Sequence, residues 1–429
     1  MYKETTKDLL SFIENSPSCF HAIDEAARRL REKGFKELKE KDRWELSEGG
    51  YYVTRNSSSI IAFYIPKDPE LSVRITAAHS DSPTFKIKEN PEISVESKYI
   101  KLNTEKYGGM ICSPWLDRPL SVAGRIFVKA DNEGGEHSGA AIKEIKVNVD
   151  RDLLIIPNVA IHMNRNVNDG YKFDPQTDML PLFAAGGEKG RFMKLIAESA
   201  GVKEEDILSH DLYLYNRCKG SIWGADEEFV SSPKLDDLQC AYSTLTGFLE
   251  GDKKKHISIC CIFDNEEVGS ATRQGAGSTF LYDVLMRICS GIKADYEDYL
   301  RMLSEGIMLS ADNAHAVHPN HAEYTDPTNR PYINEGIVIK FNAQQKYCTD
   351  GYSAAFFKGL CMRAGVPFQV FVNRSDMLGG STLGNISNTK VALKSVDIGL
   401  PQLAMHSPYE TAGVKDTEYM VKAVKEFFE

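Results

Sequence analysis

From about residue 235 onward the chain alternates long amphipathic patterns with short, unbroken apolar runs, and no other feature constrains its fold as strongly. LDDLQCAYSTLTGFLEGD reads as a helix, HISICCIFD as a strand and STFLYDVLMRICSGI as a helix. GIMLSAD and GIVIKF read as strands, SAAFFKGLCMRAG as a helix stopped by a glycine cap, FQVFVNR and SVDIGLP as strands, and DTEYMVKAVKEFFE as a closing helix. Strands that are apolar at nearly every position must be covered on both faces. The pattern therefore implies an α/β fold, a mixed central sheet flanked by helices. The N-terminal part fits the same scheme. Leu9, Leu10, Phe12 and Ile13 mark one helix, a second runs from about Phe20 to Gly34, and YYVTR, SSIIAFYIP and LSVRITAAH follow as strands.

The stretch between these parts reads differently. ISVESKYIKL, GRIFVKA, IKEIKVNV and LLIIP are short, alternating segments broken by Gly, Asn and Asp, which favours antiparallel β structure. RNVNDGYKFDPQTD is polar and reads as an ordered loop. Residues 86–229 are thus expected to form a mainly-β domain inserted into an α/β domain built from 1–85 and 230–429.

Charge and cysteine content narrow the function classes. Of 429 residues, 51 are Lys or Arg and 61 Asp or Glu, a net charge of −10. Such a chain has no general attraction for nucleic acid or anionic lipid, so neither is an expected partner. No apolar run approaches the roughly 18 residues of a membrane span. MYKETTKDLLSF also lacks the basic-then-apolar layout of a secretion signal, and a cytoplasmic location is expected. The nine cysteines form no C-x-x-C pair, and Cys260 and Cys261 sit inside an apolar run. Reduced, buried thiols fit this better than disulfides.

Acids and histidines gather just after apolar strands, where open α/β sheets place their ligands. LSVRITAAHSDSP delivers His79, with Asp81 two residues on to hold the second ring nitrogen, although the motif on its own fits a satisfied histidine at a strand end better. SSPKLDDLQC brings Asp236 and Asp237 to a helix start, where acids also serve as plain caps. In ICCIFDNEEVGS, Glu266 and Glu267 follow a buried strand; adjacent carboxylates there need a cation or a shared proton, unless the turn is simply solvated. MLSADNAHAVHPNH packs Asp312, His315, His318 and His321 together, either as ligands or as a chance surface cluster, and LPQLAMHSPYE places His406 after another strand. Taken together, His79, Asp236, Glu267, Asp312 and His406 are two histidines and three carboxylates. That set suits a pair of divalent ions sharing one carboxylate, and leaves Glu266 as the base for hydrolysis.

AAHSDSP, PKLDDL, DNEEVGS, SADNAHAVHPN, GGSTLG and AMHS, in that order, resemble the aspartyl aminopeptidase family, which includes the vacuolar aminopeptidase I enzymes. The resemblance spans essentially the whole chain. It implies a zinc-peptidase type of catalytic domain and an inserted dimerisation or lid domain. It also implies a dinuclear metallo-aminopeptidase acting on small peptides with a free N-terminus. Two divalent ions per subunit are expected, zinc first, with manganese or cobalt as alternatives. By the resemblance His79 and Asp312 hold one ion, Glu267 and His406 the other, and Asp236 bridges them. Glu266 acts as general base on the bridging water, and Asp81 orients His79 and serves as a second catalytic residue. His162, Lys340, His318 and Gly380 are implied in substrate binding. His162 would reach a neighbouring subunit's site, and Lys340 would meet an acidic residue at the peptide N-terminus, although some members prefer leucine-like residues. Assembly as a homododecamer of dimers is implied too.

Two positions depart from the family pattern: Asn385 stands where a proline is common, and Pro408–Tyr409 where an aliphatic residue and an arginine are common. Two rival readings stay open at this level. One is a deacylase or carboxypeptidase on a similar two-metal scaffold, and the other is a catalytically silent shell-forming protein.

Overall fold

The computed structural model describes residues 2–130 and 142–429. The chain divides into two compact units: Met1–Ser82, Gly220–Met405 and Glu410–Glu429 in one, Pro83–Lys219 and His406–Tyr409 in the other. The return from the insertion thus falls near residue 220, ten residues before the expected one. The reason is local: Ser221–Trp223 pairs antiparallel with Phe229–Ser232, which in turn pairs with Glu410–Gly413 in the first unit's five-stranded sheet.

The first unit is built on a nine-stranded sheet. In spatial order its strands are Lys36–Leu38, Gly49–Arg55, Ser59–Ile65, His256–Phe263, Glu70–His79, Ile307–Ala311, Lys394–Gly399, Ile337–Phe341 and Phe368–Val372. His256–Phe263, Glu70–His79, Ile307–Ala311 and Lys394–Gly399 are mutually parallel and occupy the middle, with antiparallel neighbours on either side. The alternation of a strand sends successive residues to opposite faces. Cys260 therefore joins one apolar core and Cys261 the other, and all nine cysteines are free thiols. Helices Tyr2–Glu14, Cys19–Glu32, Leu235–Glu250, Gly351–Ala364 and Asp416–Phe427 fill the first core with Phe12, Ile23, Phe248, Phe357 and Val424. Phe280–Gly291 and Tyr296–Glu305 fill the second with Leu285, Ile288 and Met302. The last of these helices is absent from the expectations above; Asp295 starts it, accepting from the Asp298 N–H at 2.9 Å. Gly365, in the left-handed region at φ 65°, stops Gly351–Ala364 as the sequence implies.

The second unit carries a six-stranded antiparallel sheet in the order Ile142–Asn148, Leu120–Lys129, Ile207–Asn216, Thr84–Val95, Tyr99–Tyr107, Leu182–Ala185. It is not purely β. Arg191–Ala200 is a helix whose Phe192 and Ile196 complete a core with Phe85, Leu102 and Ile126. LLIIP forms only isolated bridges at Leu154, Ile155 and Ile156 and not a full strand. RNVNDGYKFDPQTD is a loop with one short helical turn, Val167–Asp169. Among the described residues no helix is long and apolar enough to cross a membrane.

Leu235–Glu250 lies against Asp416–Phe427 so closely that a Cβ on Gly247 would stand 2.6 Å from Val424 Cβ. Helix propensity favours alanine over glycine by about 1 kcal/mol, whereas overpacking costs about 1–3 kcal/mol. Gly247→Ala is therefore expected to lower the urea midpoint of unfolding; a raised midpoint would show that propensity outweighs packing here.

Candidate metal centre

The parallel strands Glu70–His79, His256–Phe263 and Ile307–Ala311 are adjacent, and each ends in chemistry-bearing residues. His79 closes the first. Its backbone N–H donates to Asp237 Oδ2 at 3.0 Å, and its Nδ1 lies 3.1 Å from the Asp81 carbonyl and 3.3 Å from Asp81 Oδ1. Its Nε2 faces Asp236 Oδ1 at 3.7 Å, Asp312 Oδ1 at 3.9 Å and Asp237 Oδ2 at 4.0 Å. Those spacings exceed hydrogen-bond length. Donors about 2.1 Å from a tetrahedral ion stand about 3.4 Å apart, so the cluster is close to what a cation needs.

His79, Asp236, Asp237 and Asp312 each bring one ligand atom to within 4.8 Å of all the others, and His79, Glu266 and Glu267 form a second such group. Asp237 Oδ1 is buried without a hydrogen-bond partner, which a cation would supply. One imidazole amid hard carboxylate oxygens is a donor set suited to zinc or manganese.

The plain-cap reading of Asp236 and Asp237 fails. Both are buried, both have non-helical backbone angles inside Leu235–Glu250, and no side chain caps that helix. Glu410 Oε2 instead accepts the Asp236 N–H at 2.9 Å. Asp237 joins this group without having been an expected ligand; the doublet was visible, but only folding brings its second carboxylate under the His79 backbone.

Glu266 and Glu267 open a short helical turn, Glu266–Val268. Their backbone N–H groups donate to the two carboxylate oxygens of Asp81 at 3.2 Å each. Asp81 thus fastens this turn and touches the His79 ring with the same carboxylate. Asp312 follows its strand, with its N–H on the Ile398 carbonyl at 3.0 Å. Lys340 is buried, and its Nζ donates to the Asn313 carbonyl at 2.7 Å and lies 3.4 Å from Asp312 Oδ2.

This crowding distorts proton affinities. Burial pushes Glu266 up to about 8, the carboxylates of Asp312, Asp81 and Asp236 add to the rise, and His79 opposes it. Burial likewise drives Asp237 well above its ordinary value. Burial alone would lower His79, yet Asp237, Asp312 and Asp81 hold it well above the usual imidazole range. For Asp312 burial acts upward, but Lys340 and His79 overcome it and keep the carboxyl below the usual range.

Of the other expected residues, His318 and Gly380 belong to neither group. His318 is exposed, its Nδ1 accepting the Asn320 N–H at 3.2 Å and its ring centroid 5.3 Å from that of His321. Gly380 is exposed with open space around it. In the second unit, His162 sits in an exposed turn, and His406 Nδ1 lies 2.7 Å from the Gly109 carbonyl. The departures are accommodated. Asn385 accepts from Ser381 Oγ at 3.0 Å and donates to the Gln345 carbonyl at 3.4 Å, while Tyr409 donates to the Lys219 carbonyl at 2.9 Å.

A model of the Aminopeptidase I zinc metalloprotease family (M18) matches residues 12–428. A probable M18 family aminopeptidase 2 of Clostridium novyi is 47% identical over 429 residues, covering 98% of this chain and 98% of its own. Among solved structures, a chain of the Ape4 and Nbr1 complex is 34% identical with a TM-score of 0.95, covering 100% of this chain and 86% of that one. The S. cerevisiae mApe1 dodecamer is 26% identical with a TM-score of 0.86, covering 100% of this chain and 97% of that one.

Burial pushes Asp264 and Asp416 up to about 7, as it pushes Glu266 up to about 8. A carboxyl raised in the folded state keeps a proton that the unfolded chain has already released. Stability therefore falls as pH climbs from the unfolded value toward the folded one. The metal-free protein is expected to melt progressively lower between about pH 5 and pH 8, and Glu266→Gln to flatten the decline. A melting temperature that rises over this interval would contradict the sign.

Proposed function

Because this chain belongs to the Aminopeptidase I (M18) family of zinc metalloproteases, we propose that it removes acidic N-terminal residues from small peptides, using a two-ion centre. The observation that carries this reading is the convergence of His79, Asp236, Asp237, Asp312 and the Glu266–Glu267 pair at the carboxyl ends of three neighbouring strands. By the family resemblance, His79 and Asp312 would hold one ion, Glu267 and His406 the other, and Asp236 would serve both. Divalent ions held there, zinc by preference, would polarise the scissile carbonyl and lower the pKa of the attacking water.

The chain's own groups divide the remaining work. Glu266 takes the proton of the attacking water and hands it to the leaving amine. A carboxyl whose proton affinity is raised by burial suits both halves of that transfer. Asp81 fixes the turn that aims Glu266 and orients the His79 ring. The Lys340 ammonium has three donors, two of them directed at the Asn313 carbonyl and the Asp312 carboxylate; the third is left for an acidic substrate side chain. Closeness to the mApe1 dodecamer supports self-association, here assigned to dimers formed through the inserted unit and assembled into a homododecamer with His162 reaching a neighbouring subunit.

The test is hydrolysis of Asp-, Glu-, Leu- and Lys-para-nitroanilide by zinc-loaded protein before and after chelation. Asp and Glu are expected to be preferred and cleavage to vanish on chelation; a preference for Leu would remove the role given to Lys340. Faster cleavage of N-acetylated peptides than of free-amine peptides would replace the aminopeptidase with a deacylase. Glu266→Gln is expected to lower kcat by about 10²–10⁴ with zinc content unchanged.

A further inference from the structure

Beneath the metal centre runs a buried chain of polar groups whose two ends both reach ligands. At one end Glu410 Oε2 accepts the backbone N–H of Asp236 at 2.9 Å. The other Glu410 oxygen accepts from Gln402 Nε2 at 3.5 Å, and Gln402 Oε1 accepts from Asn313 Nδ2 at 2.8 Å. The backbone carbonyl of the same Asn313 accepts from Lys340 Nζ at 2.7 Å, and Lys340 lies 3.4 Å from Asp312 Oδ2. Asn313 is the hub. Its amide also reaches Gln239 Oε1 at 3.0 Å and the Leu235 carbonyl at 3.3 Å, and its Oδ1 accepts from the Cys240 thiol at 2.8 Å. Through Gln239 and Leu235 it grips the helix that carries Asp236 and Asp237.

Glu410, Gln402, Asn313 and Lys340 are all at most 3% exposed. An apolar set of similar volume at positions 402 and 410 would be cheaper to bury, because each of these groups gives up hydration. The backbone makes special room for the arrangement as well. A Cβ on Gly399 would stand 2.1 Å from the Asp312 carbonyl oxygen and 2.9 Å from Lys340 Cε. Only a residue without a side chain lets that strand, the Asp312–Asn313 backbone and the Lys340 stem meet.

We propose that Glu410, Gln402 and Asn313 are positioning residues: a hydrogen-bonded brace that holds Asp236 and Asp312 at their spacing before any cation arrives. The proposal rests on the metal-centre reading above. The brace has a defined polarity. Glu410 only accepts, Gln402 donates to Glu410 and accepts from Asn313, and Asn313 donates. Glu410→Gln sets an amide donor against the Gln402 amide donor, since its oxygen is needed for the Asp236 N–H. Gln402→Glu sets two carboxylates against each other. The double variant reverses the central link and satisfies it again: a carboxylate at 402 accepts from Asn313 and from the new amide at 410, whose oxygen still accepts from Asp236.

The experiment measures zinc affinity of the full-length protein by competition with a chromophoric chelator. Bound zinc is counted by mass spectrometry, and folding of each metal-free variant is checked by near-ultraviolet circular dichroism and urea unfolding. Each single variant is expected to bind zinc about 10–100-fold more weakly, the usual cost of losing an outer-shell partner. The double swap is expected to return to within a few-fold of the wild type. Single variants that bind zinc like the wild type, whatever their stability, would overturn the brace. So would a swap that recovers stability without recovering zinc affinity. If the single variants do not fold, Gln402→Met decides, since it keeps the side-chain shape while removing both links: unchanged zinc affinity refutes the brace and a tenfold or greater loss supports it. A wild-type protein that binds no zinc would remove the metal-centre reading itself, an outcome visible before any variant is made.

Discussion

Five carboxylates and one imidazole crowd the ends of three parallel strands, and most of the molecule can be understood as the means of holding them there. Like charges in a low-dielectric interior repel strongly, so Asp236, Asp237, Asp312, Glu266 and Glu267 cannot all remain ionised without compensating positive charge. The chain supplies part of it through Lys340 beside Asp312 and through His79, whose proton affinity rises accordingly. The rest appears as raised proton affinity at Glu266, pushed up to about 8, and at Asp237, whose carboxyl burial drives well above its ordinary range. A site that holds protons at neutral pH without a cation will exchange them for one, which links metal binding to pH and to stability through the same residues.

The rigidity needed for such crowding comes from the sheet. Four parallel strands in its middle are covered on both faces by apolar cores, so their ends are fixed by packing and not by the site itself. Loops leaving those ends are then pinned by polar contacts of their own. Asp81 holds the Glu266–Glu267 turn by two backbone bonds, and Glu410 holds the start of Leu235–Glu250 by one. Apolar packing sets the strand ends, and hydrogen bonds then set the carboxylates.

Much of this was legible in the chain, for identifiable reasons. HISICCIF and GIMLSA read as buried strands, because short runs that are apolar at nearly every position leave little solvent face to offer. The sites of His79, Glu266–Glu267 and Asp312 could be read because each follows such a strand directly. The helix Arg191–Ala200 was missed inside a stretch dominated by β alternation, and LLIIP looked like a strand although its neighbours allow it only bridges. The insertion's return point was displaced because a three-residue strand, Ser221–Trp223, carries too little pattern to announce a partner.

Local pattern and residue chemistry determined the α/β architecture, the interruption of that architecture by a second unit, and the identity of most candidate ligands, since hydrophobic period and donor type are properties of short segments. Tertiary structure alone decided that Asp237 stands beneath His79, that Asp81 clasps the Glu266–Glu267 turn, and that Glu410, Gln402 and Asn313 connect Asp236 with Lys340. These partners lie as far apart as 174 and 186 positions along the chain. A hydrogen bond between them depends on a distance of about 3 Å, which no sequence spacing encodes until the sheet has brought the strand ends together.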